Sequence, residues 1–422
     1  MTTLTDPAKG AFRLSMLIYD SRYRSITIQI IALIAVLTLI GWLISNTASN
    51  LADLGKQPSF GFLGEAAGYD INQRLIDYQN QDTHLRAAFV GVLNTLLVAA
   101  MGCVTATIIG VFVGVLRLSK NWVVARLMTL YVETFRNVPV LLWIVFTMAV
   151  LIETLPAPNQ FRGATPEATM LLGDTVALTN RGFYVPEPLF SRSIGDIHLF
   201  GASPLRFDVS LDLIAVLATL IASFLIASLI TRRADRIQAA TGVRPRTWHW
   251  RLAVIVLPLA ALLAGLGFYL GHPALKGFNF QGGVYMRNSL IALWLALSLY
   301  TAAFIAEIVR AGILAISKGQ TEAAAALGLR PRRVMSLVIL PQALRVIIPP
   351  LISQYLNLTK NSSLAIAVGY MDITGTLMGI TLNQTGRELE TILIGMLIYL
   401  TISLTISFVM NVYNDAVKLR ER

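Results

Sequence analysis

Apolar residues in this chain gather in long unbroken runs, without the period of 2 or 3.6 that marks half-buried strands and surface helices. Eight runs stand out, over residues 26–44, 89–116, 138–155, 211–229, 252–270, 290–313, 346–371 and 392–412. A helix of about 20 apolar residues crosses a hydrocarbon core of ~30 Å, and each run approaches or meets that length. The pattern predicts an all-α integral membrane protein with about eight transmembrane helices. The first run follows a charged leader containing Arg13, Arg22 and Arg24, and its length without a small-residue cleavage site predicts a retained helix. A polar group breaks the seventh run.

The segments between runs set the orientation. Residues 1–25, 117–137, 230–251, 310–345 and 413–422 hold 23 of the 34 Lys and Arg residues. Short basic loops stay in the cytoplasm, so both termini are expected there. The hydrophilic stretches 46–88 and 156–208 then fall outside, each rich in turn formers and too short for an independent enzyme domain.

Composition agrees with this picture. Of 422 residues, 55% are hydrophobic and 14% charged, with a mean hydropathy of +0.66; soluble domains have about 25% charged residues. The net charge of +11 follows from the basic inner loops, so no nucleic-acid partner is expected. The lone Cys103 excludes an intrachain disulfide, and the four scattered histidines have no metal-site spacing. No phosphate-binding G-x-x-x-x-G-K-[ST], nucleophile elbow or H-E-x-x-H is present, so the chain is not expected to be an enzyme or to carry a cofactor.

Three groups hold the remaining chemistry. In SKGQTEAAAALGLRPRRV, Ser317 and Gln320 have capping-box spacing, Glu322 lies near the first turn, and Ala323 and Ala324 belong to a compact helical face. Gly328 suits a left-handed bend, and Pro331 the start of a second basic arm with Arg332 and Arg333. An ordinary loop and a docking element are both open readings. The second group, Asn357, Lys360, Asn361, Ser362 and Ser363, interrupts the seventh run, with Lys360 expected about 21 Å along it, beyond the bilayer centre. Such residues face a substrate pathway or, for Lys360, snorkel to the surface. Asn94 and Thr95 in the second run are weaker pathway candidates of the same kind. Third, Glu133 with Arg136 and Glu307 with Arg310 are spaced to neutralise each other near the inner surface.

GQTEAAAALGL followed by VILPQALR resembles the EAA signature of permease subunits of bacterial ABC importers. YVETFRNVPVLL, AFIAEIVRAG, LPQALRVIIPPL and LTKNSSLA are similar to the branch of that family taking up polar amino acids. The motifs cover 90–155 and 287–412. The resemblance implies a five-helix permease core, split between 89–155 and 287–422, with a coupling loop at 310–345. The ATPase contact it implies centres on Ser317, Gly319, Gln320, Glu322, Ala323, Ala324, Gly328, Arg332 and Arg333. Residues 1–88 add an N-terminal span with its outer segment, and 156–286 insert two further spans. This extended pattern is similar to general L-amino-acid permeases, which pair two unlike subunits. The implied partners are a second related permease in a heterodimer, a cytoplasmic ATPase dimer carrying ATP and Mg, a periplasmic amino-acid-binding protein and membrane lipid. The implied place is the bacterial inner membrane. An ion-gradient-driven secondary transporter is the alternative, although the spans hold no relay of acidic or histidine residues.

Overall fold

The computed structural model describes residues 16–19, 21–53, 55, 58–163, 166–201 and 203–417. Arg13 of the leader and the chain beyond 417 lie outside the described residues. Two compact units divide at Phe60. In the first, the helix Ser21–Asp53 contains the first span, Tyr23–Asp53, whose apolar side chains are exposed along nearly its whole length.

The second unit contains the other seven spans: His84–Leu116, Val140–Phe161, Leu211–Thr241, Trp248–Gly265, Asn288–Leu314, Pro331–Val368 and Glu388–Asn414. Eight apolar helices are therefore present among the described residues. The second and sixth spans form the central pair, with the third packed against the sixth and the seventh against both. Lipid tails are as apolar as leucine, so helix association here depends on close van der Waals fit and not on exclusion of water. Small residues supply that fit. A Cβ at Gly110 would lie 2.6 Å from Ile305 Cβ, and one at Gly114 would lie 2.7 Å from the Ala306 carbonyl oxygen. The buried cluster around this contact includes Val98, Ala106, Leu297, Ile305, Ala343 and Leu358.

Three boundaries differ from the sequence reading. The fifth span ends at Gly265, because Gly267 turns left-handed and residues 268–271 leave as a strand. The seventh helical stretch begins at Pro331 and passes through a short π-helical turn at Met335–Ile339. It continues unbroken from Leu340 to Asn361, then tightens into a 3-10 turn over Ser362–Val368. Pro349 and Pro350 lie inside this helix. Finally, the polar segment from 61 onward packs onto the core. Tyr69 and Tyr78 are buried against Ala87 and Val90, and the Tyr69 hydroxyl lies 3.1 Å from Thr381 Oγ1. The boundary drawn at 88 therefore separates residues that share one core.

Residues 177–210 and 268–287 contain strands that the run pattern did not disclose. Among the described residues the strands are β1 (Ala177–Thr179), β2 (Gly182–Val185), β3 (Glu187–Phe190), β4 (Asp196–Leu199), β5 (Phe207–Ser210), β6 (Phe268–Gly271), β7 (Ala274–Lys276), β8 (Asn279–Gln281) and β9 (Val284–Arg287). All pairings are antiparallel. β2 pairs with β1 and β9, and β3 with β6, so the chain leaving toward the fourth span is stitched to the chain returning from the fifth. The fourth and fifth spans pack mainly on one another. The buried Asp212 carboxylate at the start of the fourth accepts from Ser193 Oγ at 2.6 Å and the Ile194 amide at 2.9 Å.

Candidate functional site

The alanine hairpin lies between the sixth and seventh spans. Its first arm is the helix Lys318–Ala326. Ser317 occupies the N-cap position with extended backbone, yet no side-chain capping bond forms; the Gln320 amide reaches the Ser317 carbonyl at 3.1 Å instead. The expected reciprocal capping box is therefore absent. Glu322, fifth in the helix, lies past the first turn. Gly328 has φ of +76°, and the Gly328 and Leu329 amides donate to the carbonyls of Ala325 and Ala324 at 2.9 and 3.2 Å. This is a Schellman closure, which satisfies the last helical carbonyls. Pro331 opens the second arm, where Arg332 and Arg333 are exposed. Ala324 and Val334 are the buried residues of the two arms, while Glu322, Ala323, Ala325 and Ala326 are exposed and Leu327 is 82% exposed. A closed hairpin thus presents an uncovered small-residue face.

Above it, Glu307 and Arg310 pair as expected, Arg310 Nη2 donating to Glu307 Oε1 at 2.6 Å. Arg117, absent from the sequence candidates, joins them by donating to Glu307 Oε2. Its side chain is only 8% exposed. The cluster fastens the end of the second span to the sixth. Glu133 and Arg136 form no ion pair: Arg136 sits over the Phe304 ring, 5.4 Å from its centroid, and Asn137 Nδ2 donates to the Glu133 carbonyl at 2.8 Å. Three-residue spacing permitted that pair, but an aromatic face on the neighbouring span took the guanidinium.

The polar group of the seventh span lies where the α-helix tightens. Asn357 and Lys360, three residues apart, are exposed on one face, and Asn361 is partly covered. Ser362 Oγ donates to the Thr359 carbonyl and Ser363 Oγ to the Lys360 carbonyl, both at 2.8 Å, so the serines satisfy helix-end carbonyls. The structure does not bring Asn94 and Thr95 to this face. Asn94 Nδ2 donates to the carbonyls of Gln73 at 2.7 Å and Met371 at 2.8 Å; Thr95 Oγ1 accepts from the Ile373 amide at 3.2 Å. Both bolt the segment after the turn to the second span, which corrects their assignment to the pathway. Tyr370 joins them through its hydroxyl, donating to the Asn94 carbonyl at 3.1 Å. Asp372 is fully buried beside them, accepting from the Gly375 amide at 2.9 Å and the Tyr399 hydroxyl at 3.0 Å. Burial pushes its carboxyl up to about 6, against the pull of those two donors.

Residues 106–422 match the family described as the binding-protein-dependent transport system inner membrane component. The chain belongs to this family. It is 59% identical, over the full length of both chains, to the glutamate/glutamine/aspartate/asparagine transport system permease protein BztB of Rhodobacter capsulatus. It is 45% identical to the putative amino-acid ABC transporter permease protein YhdX of Escherichia coli, covering 93% of this chain and 94% of that one. The general L-amino acid transport system permease protein AapQ of Rhizobium johnstonii is 43% identical, covering 99% and 98% respectively. The matched region contains the hairpin, the Arg117 cluster and the turn at 357–372. With this membership and near-full-length similarity to amino-acid ABC transporter permeases, the chain is a permease component of an amino-acid ABC transporter, and the ion-driven alternative falls away. Membership also makes the chain a multi-pass inner-membrane transport component.

Sequence reading missed Arg117, Tyr370, Asp372 and Tyr399. Arg117 had a signal, being the first charge after a 28-residue apolar run. The other three are ordinary residues until folding brings the eighth span against the turn.

Proposed function

We propose that this chain is the channel-forming permease subunit of an ATP-driven importer of polar L-amino acids, with acidic amino acids and their amides foremost. The observation that carries this reading is full-length similarity to a permease named for transport of those four amino acids. The hairpin supports coupling to a separate ATPase, where ATP and Mg would bind. Its bend is closed by backbone bonds, while Glu322, Ala323, Ala325 and Ala326 remain exposed. A short helix that is marginal alone is here rigid enough to transmit motion. A second related permease completes the pathway, with Asn357, Lys360 and Asn361 on the face turned toward it. The hairpin end and both termini face the cytoplasm, and the strand-bearing segments meet the receptor outside.

Reconstitution tests the reading directly. Proteoliposomes containing the permease pair, its ATPase and loaded receptor should accumulate labelled aspartate or glutamine only with internal ATP. Uptake driven by an ion gradient without ATP, or no uptake of any amino acid, would reject it.

A further inference from the structure

The strand-bearing insert encloses a cavity of about 510 Å³ where it meets the outer ends of the core spans. Met148 and Ile152 of the third span form part of the wall, and Val368 and Gly369 close the side nearest the polar turn. The rest is polar. Arg181 stands beside β2, and Arg287 ends β9, with Arg287 paired across the ladder to Gly182, the residue after Arg181. Neither guanidinium has an ion-pair or hydrogen-bond partner among the described residues. Asn180 and Asn288 share the wall, and their carboxamide oxygens are buried and accept nothing. Asn288 is only 3% exposed, and its nitrogen is occupied, donating to the Thr179 carbonyl at 3.3 Å.

This combination is unusual within the molecule. The second polar cavity, of about 570 Å³, also contains arginines, but Arg86 there donates to the Asp77 and Pro204 carbonyls and Arg206 pairs with Asp82 at 3.1 Å. Carboxylates of Asp77, Asp196 and Asp208 balance its charge. In the smaller cavity nothing does. Two unpaired guanidinium groups and two buried carboxamide oxygens without donors meet at one concave site, and a ligand carrying both carboxylate and ammonium would supply both missing partners. Carboxylates match guanidinium groups in bidentate geometry, and an ammonium suits carboxamide oxygens.

We propose that this cavity is a vestibule site for the zwitterionic amino acid, selective for two carboxylates, which holds the substrate between release from the receptor and passage to the turn. The proposal rests on the transport reading above and adds a place and a preference to it. Arg181 and Arg287 each take one carboxylate of aspartate or glutamate, and Asn180 and Asn288 face the ammonium. The 3-10 turn Ser362–Val368 leads from Val368 in the cavity wall to Ser363, roughly 10 Å at ~2 Å per residue. A ligand in the vestibule is thus one short element from the polar face of the seventh span.

Saturation-transfer NMR with L-aspartate tests it, using the assembled complex in phosphatidylcholine nanodiscs without receptor. The wild type should give a signal that L-glutamate competes away. Arg181→Gln with Arg287→Gln should weaken binding about tenfold or more and abolish the preference for aspartate over asparagine. The Arg→Lys pair should recover most of it, and Lys360→Ala should retain it. Should the double variant fail to assemble, Arg181→Gln alone gives the same reading, because that side chain is exposed and supports no contact. No wild-type signal, a signal indifferent to these variants, or one lost only in Lys360→Ala overturns the site. So does loss of the wild-type signal in phosphatidylglycerol nanodiscs, which would assign the arginines to lipid phosphate. ATP-dependent aspartate uptake by the same wild-type complex separates the outcomes. If uptake fails, the transport reading fails; if uptake stands while the variants bind normally, the vestibule alone is wrong.

Discussion

Asp372 carries a charge where folding has removed most of its water. Its carboxyl, with an ordinary value of about 3.9, is pushed up to about 6 by burial. Between about pH 4 and 6 the folded chain therefore holds a proton that the unfolded chain has released. Stability is greatest at the acid end of this window and falls as pH rises through it, by roughly 1.4 kcal/mol for each pH unit. Asp372→Asn should keep an acceptor for the Gly375 amide and remove this slope. Unfolding temperatures of both forms, measured in nanodiscs from about pH 4.5 to 7, should converge at the acid end and separate toward neutrality in favour of the variant. Parallel profiles would mean that Asp372 is fully solvated or fully paired in the folded chain. Lys360 shows the opposite situation, a charge the fold leaves on an open face.

The hairpin and the glycine seam are two uses of small residues. In the seam, small size allows backbones to approach. Gly114→Val would place a Cβ 2.7 Å from the Ala306 carbonyl oxygen and 2.9 Å from Val309 Cβ, which no rotamer relieves. Overpacking of this kind costs about 1–3 kcal/mol. The variant should unfold at lower temperature or fail to accumulate, whereas Gly265→Ala, with no atom within 4 Å, should behave as wild type. Equal stability of the two variants would show that the second and sixth spans are not in contact at Gly114. In the hairpin, small size leaves room for another protein. Ala323→Trp fills that room, and Gly328→Val opposes φ of +76° at a cost of ~1–2 kcal/mol. Neither change touches the seam, so the permease pair should still form. Co-purification of the ATPase, or receptor stimulation of its ATP hydrolysis, should be lost in both. Retention of ATPase and full transport by both variants would leave the hairpin an ordinary loop.

For the molecule as a whole, the basic segments predict an orientation, and the strand-bearing segments offer exposed positions at which to test it. In a background with Cys103 replaced by alanine, Ser317→Cys should resist an impermeant thiol reagent in intact spheroplasts and react after permeabilisation. Phe278→Cys, at an 86% exposed position between β7 and β8, should react in both. The reverse pattern would invert the topology. The same strand-bearing segments explain what the two extra spans do structurally: pairing of β2 with β9 and β3 with β6 closes their excursion at its base.

Some of this was legible without coordinates. Helices in lipid satisfy their own backbone groups, so a run of apolar residues of sufficient length is enough to define a span, and all eight runs became spans. Gly328 and Pro331 were equally readable, because a left-handed bend and a helix start are properties of a few neighbouring residues. The capping box was not, since Ser317 has the right position but its hydroxyl makes no capping bond. Nor was the ladder that joins the two halves of the insert: the four-residue segment 284–287 pairs with 182–185, about a hundred residues away. Asn94 and Thr95 mark the limit most clearly. Their chemistry suggested a pathway, yet it was spent on the backbone of residues 371–373, which only the packed turn brings within reach. Local sequence determined what each segment could form, because those energies act within a few residues. Which polar groups remained open to a ligand depended on long-range contacts that decide where hydrogen bonds are satisfied, and so belonged to the tertiary structure alone.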